Sequence, residues 1–332
     1  MNLVEFCNYC PNCPDVWEIY VKAKRYLEQY ERPACFISGG ADSDVMLDII
    51  YHADNDKKVR YVYFDTGLEM DATKRHIKYL EDKYGIKVET VSPKVPIPVA
   101  VKKYGIPLFN KYVAQCINRL QKHNFDFSDY SFEDLYSKYP KCKGGLRWWC
   151  NEHEIDNRFN INNTKFLKDY IIKHPPHVAY SDKCCDYAKK APSKDYCKEH
   201  NIDLKIIGVR KSEGGLRSTS IKSCFSEHTH NGLAEFRPLF WMTNEQRRQY
   251  EVDTGIIHSD AYTVYGCKRT GCAGCPFGRN WKEELKMLEQ YEPKLYKACM
   301  SIFGEAYDYM NRFEQFRAEA KKKEKEQSEC AN

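Results

Sequence analysis

A chain of 332 residues has room for one large domain or two small ones, and enough length to bury a sizeable core. With 42% hydrophobic residues and apolar runs no longer than 59–64 and 202–209, it lacks the ~20 consecutive residues of a membrane span. Its net charge of +5 tolerates an anionic substrate but is not the basic signature of a nucleic-acid binder.

In chain order, 1–32 is expected to be a cysteine-containing helical segment. It has no basic stretch followed by an apolar one, so no export signal is expected, and the chain reads as cytoplasmic. Val16, Ile19, Tyr20, Ala23, Tyr26, Leu27 and Tyr30 recur at helical spacing over 15–30. Pro33 opens an apolar strand at 34–37, which runs into Ser38-Gly39-Gly40-Ala41-Asp42-Ser43 and a helix marked by Val45, Met46, Ile49 and Ile50. A second strand, 59–64, ends at Asp65-Thr66-Gly67; a helix over 71–84 and a third strand, 86–91, follow. Strands alternating with helices predict an α/β fold, a parallel twisted sheet with right-handed crossovers and helices on both faces.

That domain is expected to span 33–255, interrupted by a helical insertion at about 93–175 with short helices at 95–104, 112–122 and 132–138. Helical patterns return at 164–173 and 182–190. A fourth strand over 203–209 and a fifth over 235–240 precede a helix at 243–253. Residues 256–316 should hold a cysteine-rich loop and C-terminal helices, and 317–332 a charged, fraying tail.

The loop after the first strand is built for an anion. Gly39 and Gly40 let backbone N–H groups approach a phosphate, Ser38 and Ser43 add hydroxyls, and the helix dipole favours negative charge. The pattern is neither Gly-x-x-x-x-Gly-Lys-[Ser/Thr] nor Gly-x-Gly-x-x-Gly, which excludes the P-loop NTPase and dinucleotide fingerprints. Arg210 and Arg217 follow the fourth strand where a parallel sheet puts its ligand crevice, and guanidinium forks suit pyrophosphate or phosphosulfate. Surface ion pairing is the plainer reading of each arginine. Asp42 and Asp65 are candidate Mg²⁺ carboxylates.

Sixteen cysteines are about 5% of the chain, below the density of a disulfide scaffold. Isolated ones, Cys35, Cys116, Cys197, Cys224 and Cys299, read as small buried hydrophobes. Cys267-x4-Cys272-x2-Cys275, with Gly266, Gly271, Gly274 and Gly278 interleaved, reads as a metal loop that needs a fourth thiolate, for which Lys183-Cys184-Cys185 is the donor at hand. Adjacent helical residues diverge by ~100°, so a tandem pair of ligands requires a distorted helix. Spacing does not separate an iron–sulfur cluster from a structural zinc. Cys7, Cys10 and Cys13 form a separate trio, readable as a second metal site or as plain thiols. Cys142 and Cys150 flank Trp148-Trp149, a pair that suits the core or a stacking platform.

Ser-Gly-Gly-x-Asp-Ser, Asp65-Thr66-Gly67-Leu68-Glu69, Lys183-Cys184-Cys185 and Gly208-Val209-Arg210-x-x-Glu213-x-x-x-Arg217 stand in the order seen in the phosphoadenylyl-sulfate (PAPS) reductase family. The chain resembles that branch of the PP-loop ATP pyrophosphatase superfamily (adenine nucleotide alpha-hydrolase-like) over about 33–300, and within it the iron–sulfur-containing members. The resemblance implies nucleotide and phosphate binding by Ser38, Gly39, Gly40, Asp42, Ser43, Asp65, Thr66, Gly67, Gly208, Arg210 and Arg217, with Asp42, Arg210 and Glu213 in the reaction. It tips the metal toward a 4Fe-4S cluster on Cys184, Cys185, Cys272 and Cys275, with Cys267 as the alternative ligand for one of the tandem pair. Ala41 departs from the family, where many relatives carry a lysine.

Relatives attack the sulfate with a cysteine in a C-terminal Glu-Cys-Gly-Leu/Ile-His motif and release sulfite through thioredoxin. Here only Glu329-Cys330 remains, so Cys330 is the candidate nucleophile that the resemblance offers, against an inert tail thiol. Two activities follow. One is reduction of adenylyl sulfate or PAPS with a thioredoxin-like reductant. The other is ATP cleavage and sulfur transfer, fed by a cysteine desulfurase, to an acceptor such as a nucleic acid, as in DNA phosphorothioation. A non-catalytic nucleotide-binding module is the third expectation.

Overall fold

A computed structural model describes residues 1–154, 156–213, 221–227 and 233–330. The chain divides into two compact units, each assembled from two separate stretches: Met1–Lys94 with Ala188–Ala273, and Val95–Tyr187 with Gly274–Asn332.

The first unit is built on one sheet. Its strands are β1 (Pro33–Ile37), β2 (Arg60–Phe64), β3 (Val88–Val91), β4 (Leu204–Ile207), β5 (Phe225–Ser226) and β6 (Ala234–Phe236), in the order β3-β2-β1-β4-β6-β5. All neighbouring pairs are parallel except β5 and β6. Alternation along the strands separates two apolar layers. Cys35, Ile37, Tyr61 and Tyr63 face a large core with the helices Pro14–Gln29, Ala41–Ala53 and Asp71–Tyr84. Ala34 and Val62 face Tyr196 and Cys197 of the helix Ala191–Glu199. Helices therefore cover both faces, as the alternating pattern predicts. Each large aliphatic or aromatic side chain so enclosed contributes about 1.5–3 kcal/mol.

One expected element is shorter than the sequence suggests, and one strand has no counterpart in the sequence reading. The fifth strand is three residues long instead of extending to 240, because Arg237–Phe240 turns back on itself through a Phe240 N–H to Arg237 carbonyl bond of 3.1 Å. Leu239 and Phe240 are fully buried all the same, which is why they mimic strand residues in the sequence. The antiparallel strand β5, two residues long, is too short to leave any periodicity.

A buried carboxylate fastens the large core. Asp48 accepts hydrogen bonds from Tyr84 and Tyr250 (2.6 Å each) and from Tyr9 (3.1 Å), so three separate segments converge on the helix Ala41–Ala53. A carboxylate this enclosed is stable only when its oxygens are saturated.

The second unit is helical: Ile97–Tyr104, Lys111–Gln121, Phe132–Lys138, Lys143–Trp149, Leu167–Lys173, Trp281–Tyr291 and Pro293–Cys330 are its main elements. Trp148 and Trp149 are 1% and 0% exposed, and Trp149 meets Phe125 and Phe127 edge-on, so the Trp pair is core and not a platform. The last helix runs through the charged tail, where Lys322–Glu326 and Lys325–Glu329 pair at helical spacing. Among the described residues no helix is long and apolar enough to cross a membrane.

Candidate functional site

The anion loop lies at the carboxyl end of β1, between a buried strand and the N-terminus of the helix Ala41–Ala53. Gly39 adopts φ +63°, and a Cβ there would come within 2.9 Å of Thr73 Cγ2, so only glycine fits without strain. The Ser38 N–H donates to Ser43 Oγ at 2.8 Å, which closes the turn. Gly40 caps the helix in extended conformation without a side-chain cap, and the first amide of the turn, Ala41 N–H, donates to the Tyr262 phenol oxygen. From the neighbouring strand end, Gly208 packs against this start; its Cβ would meet the Asp42 carbonyl oxygen at 3.3 Å.

Beneath the loop lies a network of ion pairs. Asp42 Oδ1 takes both Arg210 Nε and Arg247 Nη1 at 2.8 Å. Arg210 is only 5% exposed and also donates to Ser212 Oγ and Asn244 Oδ1. Arg247 Nε reaches Glu251 at 3.1 Å, Glu251 reaches His258 Nε2 at 3.1 Å, and His258 Nδ1 lies 2.8 Å from Asp44 Oδ2. His76 Nε2 approaches the same Asp44 oxygen at 2.9 Å. Burial opposes a charge on His258, but its bonds to Asp44 and Glu251 outweigh that and raise its pKa to about 9.

At the end of β2, the loop of Asp65, Thr66 and Gly67 is held by its own side chains. Gly67 N–H donates to Asp65 Oδ1 at 2.8 Å, and Thr66 Oγ1 donates to the buried Glu69 carboxylate at 2.9 Å. Lys74 lies 3.7 Å from Asp65, and Lys189 lies 3.6 Å from Glu69. The Cys272 thiol reaches Thr66 Oγ1 at 3.4 Å, and the next residue, Ala273, donates its N–H to the Leu68 carbonyl at 2.7 Å. Cys272 thus touches the loop at the end of β2.

In the helical unit, Cys184 and Cys185 belong to the single turn Lys183–Cys185, which passes directly into a π-helix, Asp186–Lys190. The helix is thus irregular directly after the tandem cysteines. Cys275 follows Gly274, at φ +59°, whose carbonyl accepts from Tyr307 and whose N–H donates to Glu284 at 3.2 Å. Among the described residues, no group of three or more His, Cys, Asp or Glu side chains is gathered for a metal ion. Arg217 and the side chains of Glu213 and Cys330 lie outside the described residues.

The N-terminal trio behaves otherwise. Cys10 and Cys13 are buried in the large core, where Cys10 donates to the Phe6 carbonyl and Cys13 to Asp253. Burial is the main cause that pushes both thiols up to about 12.

The structure therefore brings Ser38, Gly39, Gly40, Asp42, Ser43, Gly208 and Arg210 together, with Asp65, Thr66, Gly67 and Cys272 along the neighbouring strand end. Asp44, His76, Arg247, Glu251, His258, Tyr262 and Thr270 join the site without any motif to announce them. All but Asp44, which follows Ser43 directly, come from other segments, and only the fold collects them.

A family model described as "Phosphoadenosine phosphosulfate reductase domain" matches residues 32–132 and 152–277. Among solved structures, the chain is similar to the crystal structure of phosphoadenylyl-sulfate (PAPS) reductase from Candida auris in its phosphate complex. The identity is 13% and the TM-score 0.43, with 76% of this chain and 87% of that chain covered. No curated protein matches the chain.

Proposed function

Because this chain belongs to the phosphoadenosine phosphosulfate reductase domain family, we propose that it reduces an adenine nucleotide phosphosulfate, PAPS or adenylyl sulfate, to sulfite. The observation that carries this reading is the Cys272 thiol against Thr66, 3.4 Å away, at the strand end neighbouring β1 and its loop: a candidate sulfur ligand close to the proposed anion cradle. Ser38, Gly39, Gly40 and Ser43 receive the phosphate at the helix N-terminus. Asp42 acts as a positioning residue that fixes Arg210 and Arg247, its Oδ1 being shared by two guanidinium groups. That leaves Asp65 as the carboxylate for Mg²⁺, with Lys74 beside it and Lys189 beside Glu69 as basic residues at the same strand end. By the family pattern Arg217 joins Arg210 in holding the anionic groups, while Glu213 orients them.

Chemically, a thiolate, Cys330 in this reading, attacks the sulfate sulfur. An S–S bond forms, the S–O bond to the nucleotide phosphate breaks, and the nucleotide leaves with the electron pair. One thiolate of a thioredoxin-like dithiol then attacks the cysteine sulfur and expels sulfite, forming a mixed disulfide; its second thiolate attacks the reductant's own sulfur, expelling the Cys330 thiolate and leaving the reductant as a disulfide. The donor set Cys184, Cys185, Cys272 and Cys275, with Cys267 as the alternative, has the all-thiolate chemistry of a 4Fe-4S cluster. When bound, such a cluster supplies electrostatic tuning of the sulfur chemistry.

The test is anaerobic purification, followed by incubation with ATP and, separately, with adenylyl sulfate and PAPS plus a dithiol. Brown protein absorbing near 400 nm that releases sulfite is the expected outcome. Colourless protein holding stoichiometric zinc would sink the cluster. Pyrophosphate from ATP would instead favour the ATP-dependent sulfurtransferase that the intact Ser-Gly-Gly-x-Asp-Ser loop also suits, with a nucleic acid as a candidate acceptor. Neither product would leave a nucleotide-binding module.

A further inference from the structure

The helix start after Gly40 looks open in sequence, yet in the folded unit it has neighbours that the phosphate reading does not use. A Cβ placed on Gly40 would meet three hydroxyls: Thr270 Oγ1 at 3.0 Å, Tyr262 OH at 3.2 Å and Ser38 Oγ at 3.3 Å. Two of these come from one stretch of chain. Tyr262 OH and Thr270 Oγ1 are hydrogen-bonded to each other at 3.1 Å, and the Thr270 N–H donates to Tyr262 OH at 3.2 Å. The phenol oxygen accepts from the Thr270 amide and from the Ala41 amide at the helix start, and can give its own proton to Thr270 Oγ1, so the pair is tied to the loop as well as to itself. Gly40 has an extended backbone that any residue adopts, so its lack of a side chain answers to these hydroxyls and not to backbone conformation.

The stretch that carries them is a strap over the loop. At one end Arg75 holds Asp260 at 3.2 Å and reaches Tyr265 OH. Inside it, the Cys267 N–H donates to the Ala261 carbonyl at 2.8 Å. At the other end Cys272 and Ala273 are bonded to Thr66 and Leu68. The strap therefore bridges the phosphate loop and the β2-end loop and bears two of the candidate sulfur ligands.

We propose that Tyr262 and Thr270 form a hydroxyl clasp that closes the Ser38–Ser43 loop in the absence of ligand and must be displaced for a phosphate or pyrophosphate group to seat there. The inference rests on the reading of that loop as the anion site. An incoming anion competes with the clasp for the space beside Gly40. Breaking the Tyr262–Thr270 pair is then part of the free energy of binding, and the strap that bears Cys267 and Cys272 shifts with it.

The test uses the full chain and inorganic pyrophosphate, then ATP, as probes. Titration calorimetry compares the native chain with Tyr262→Phe and Thr270→Ala. Both variants should bind about three- to tenfold more tightly, the factor that one net hydrogen bond represents. Weaker or unchanged binding would overturn the clasp, since the hydroxyls would then be ligand contacts or bystanders. Hydrogen exchange on the native chain gives a second, variant-free readout. Pyrophosphate should speed exchange at the Thr270 amide, whereas protection on binding would mean the strap closes over the ligand and would refute the proposal. If neither probe binds the native chain or either variant, the anion-site reading falls and takes the clasp with it; binding that ignores both substitutions removes the clasp alone.

Discussion

His258 stands between two carboxylates, and its environment turns a residue with no motif around it into a pH-dependent tie. The groups facing it are Asp44, shared with His76, and Glu251, shared with Arg247; the Tyr262 ring lies 6.1 Å away. Its folded pKa of about 9 exceeds the ordinary value of 6.5, so its stabilisation is fully present below pH 6.5 and fades as pH rises through 9. A shift of that size corresponds to about 3 kcal/mol as an upper bound, and to roughly 1–2 kcal/mol once solvent screening is allowed for. Urea unfolding at pH 6.5 and 9.5 should show the native chain losing that much, with His258→Gln less stable at pH 6.5 and flatter across the window. Equal slopes for the two chains would remove His258 from the linkage. Neither His258 nor Arg247 was legible in the sequence, because each acquires meaning only from partners brought up by the fold. Arg210 was legible as an arginine at a strand end, but its burial was not. A guanidinium that looks available for substrate is engaged by Asp42, Ser212 and Asn244.

Between elements, the junction from β1 to the helix Ala41–Ala53 is the most legible part of the molecule. Its Gly39 is required by the left-handed backbone and its Ser43 by the turn-closing bond from Ser38 N–H, both local demands, whereas Gly40 answers to hydroxyls that only the fold brings up. Gly39→Ala should cost about 1–2 kcal/mol for the left-handed backbone alone, plus the clash with Thr73 Cγ2 at 2.9 Å. Thr73→Ser removes that methyl while keeping the hydroxyl, so Gly39→Ala/Thr73→Ser should recover the clash component and retain the backbone penalty. Denaturation midpoints of the four chains give the coupling directly, and additive losses would contradict the contact. The tandem cysteines are readable as a sequence feature, and the fold places them in a single turn that runs into a π-helix. What escaped was the length of β6 and the existence of β5. Side-chain burial at Leu239 and Phe240 imitates a strand, and a two-residue strand has no period to detect.

Across the whole chain, the sixteen cysteines separate by environment in a way that spacing does not reveal. Cys7, Cys10 and Cys13 sit at intervals of three, which suits a metal, yet the structure uses the latter two as core. Phe6 stacks on Tyr20 at 4.0 Å, Tyr9 reaches Asp48, and the helix Pro14–Gln29 lies against the sheet, so this N-terminal stretch, which the family model leaves unmatched, encloses the core that the model does match. Within that apolar layer Cys10 and Cys13 keep their protons at neutral pH, their thiols raised to about 12, and a protonated thiol is a poor ligand. Cys10→Ala/Cys13→Ala should therefore lower stability, by about 1 kcal/mol for each small core truncation, and leave the metal content per chain of anaerobically purified protein unchanged. Cys272→Ala/Cys275→Ala should do the reverse, losing metal with the first unit's core untouched, since neither residue belongs to it. Metal analysis alongside thermal unfolding separates the two pairs. A stoichiometric loss of metal from the N-terminal double variant would mean that these thiols ionise on metal binding despite their burial, and that the trio is a metal site after all.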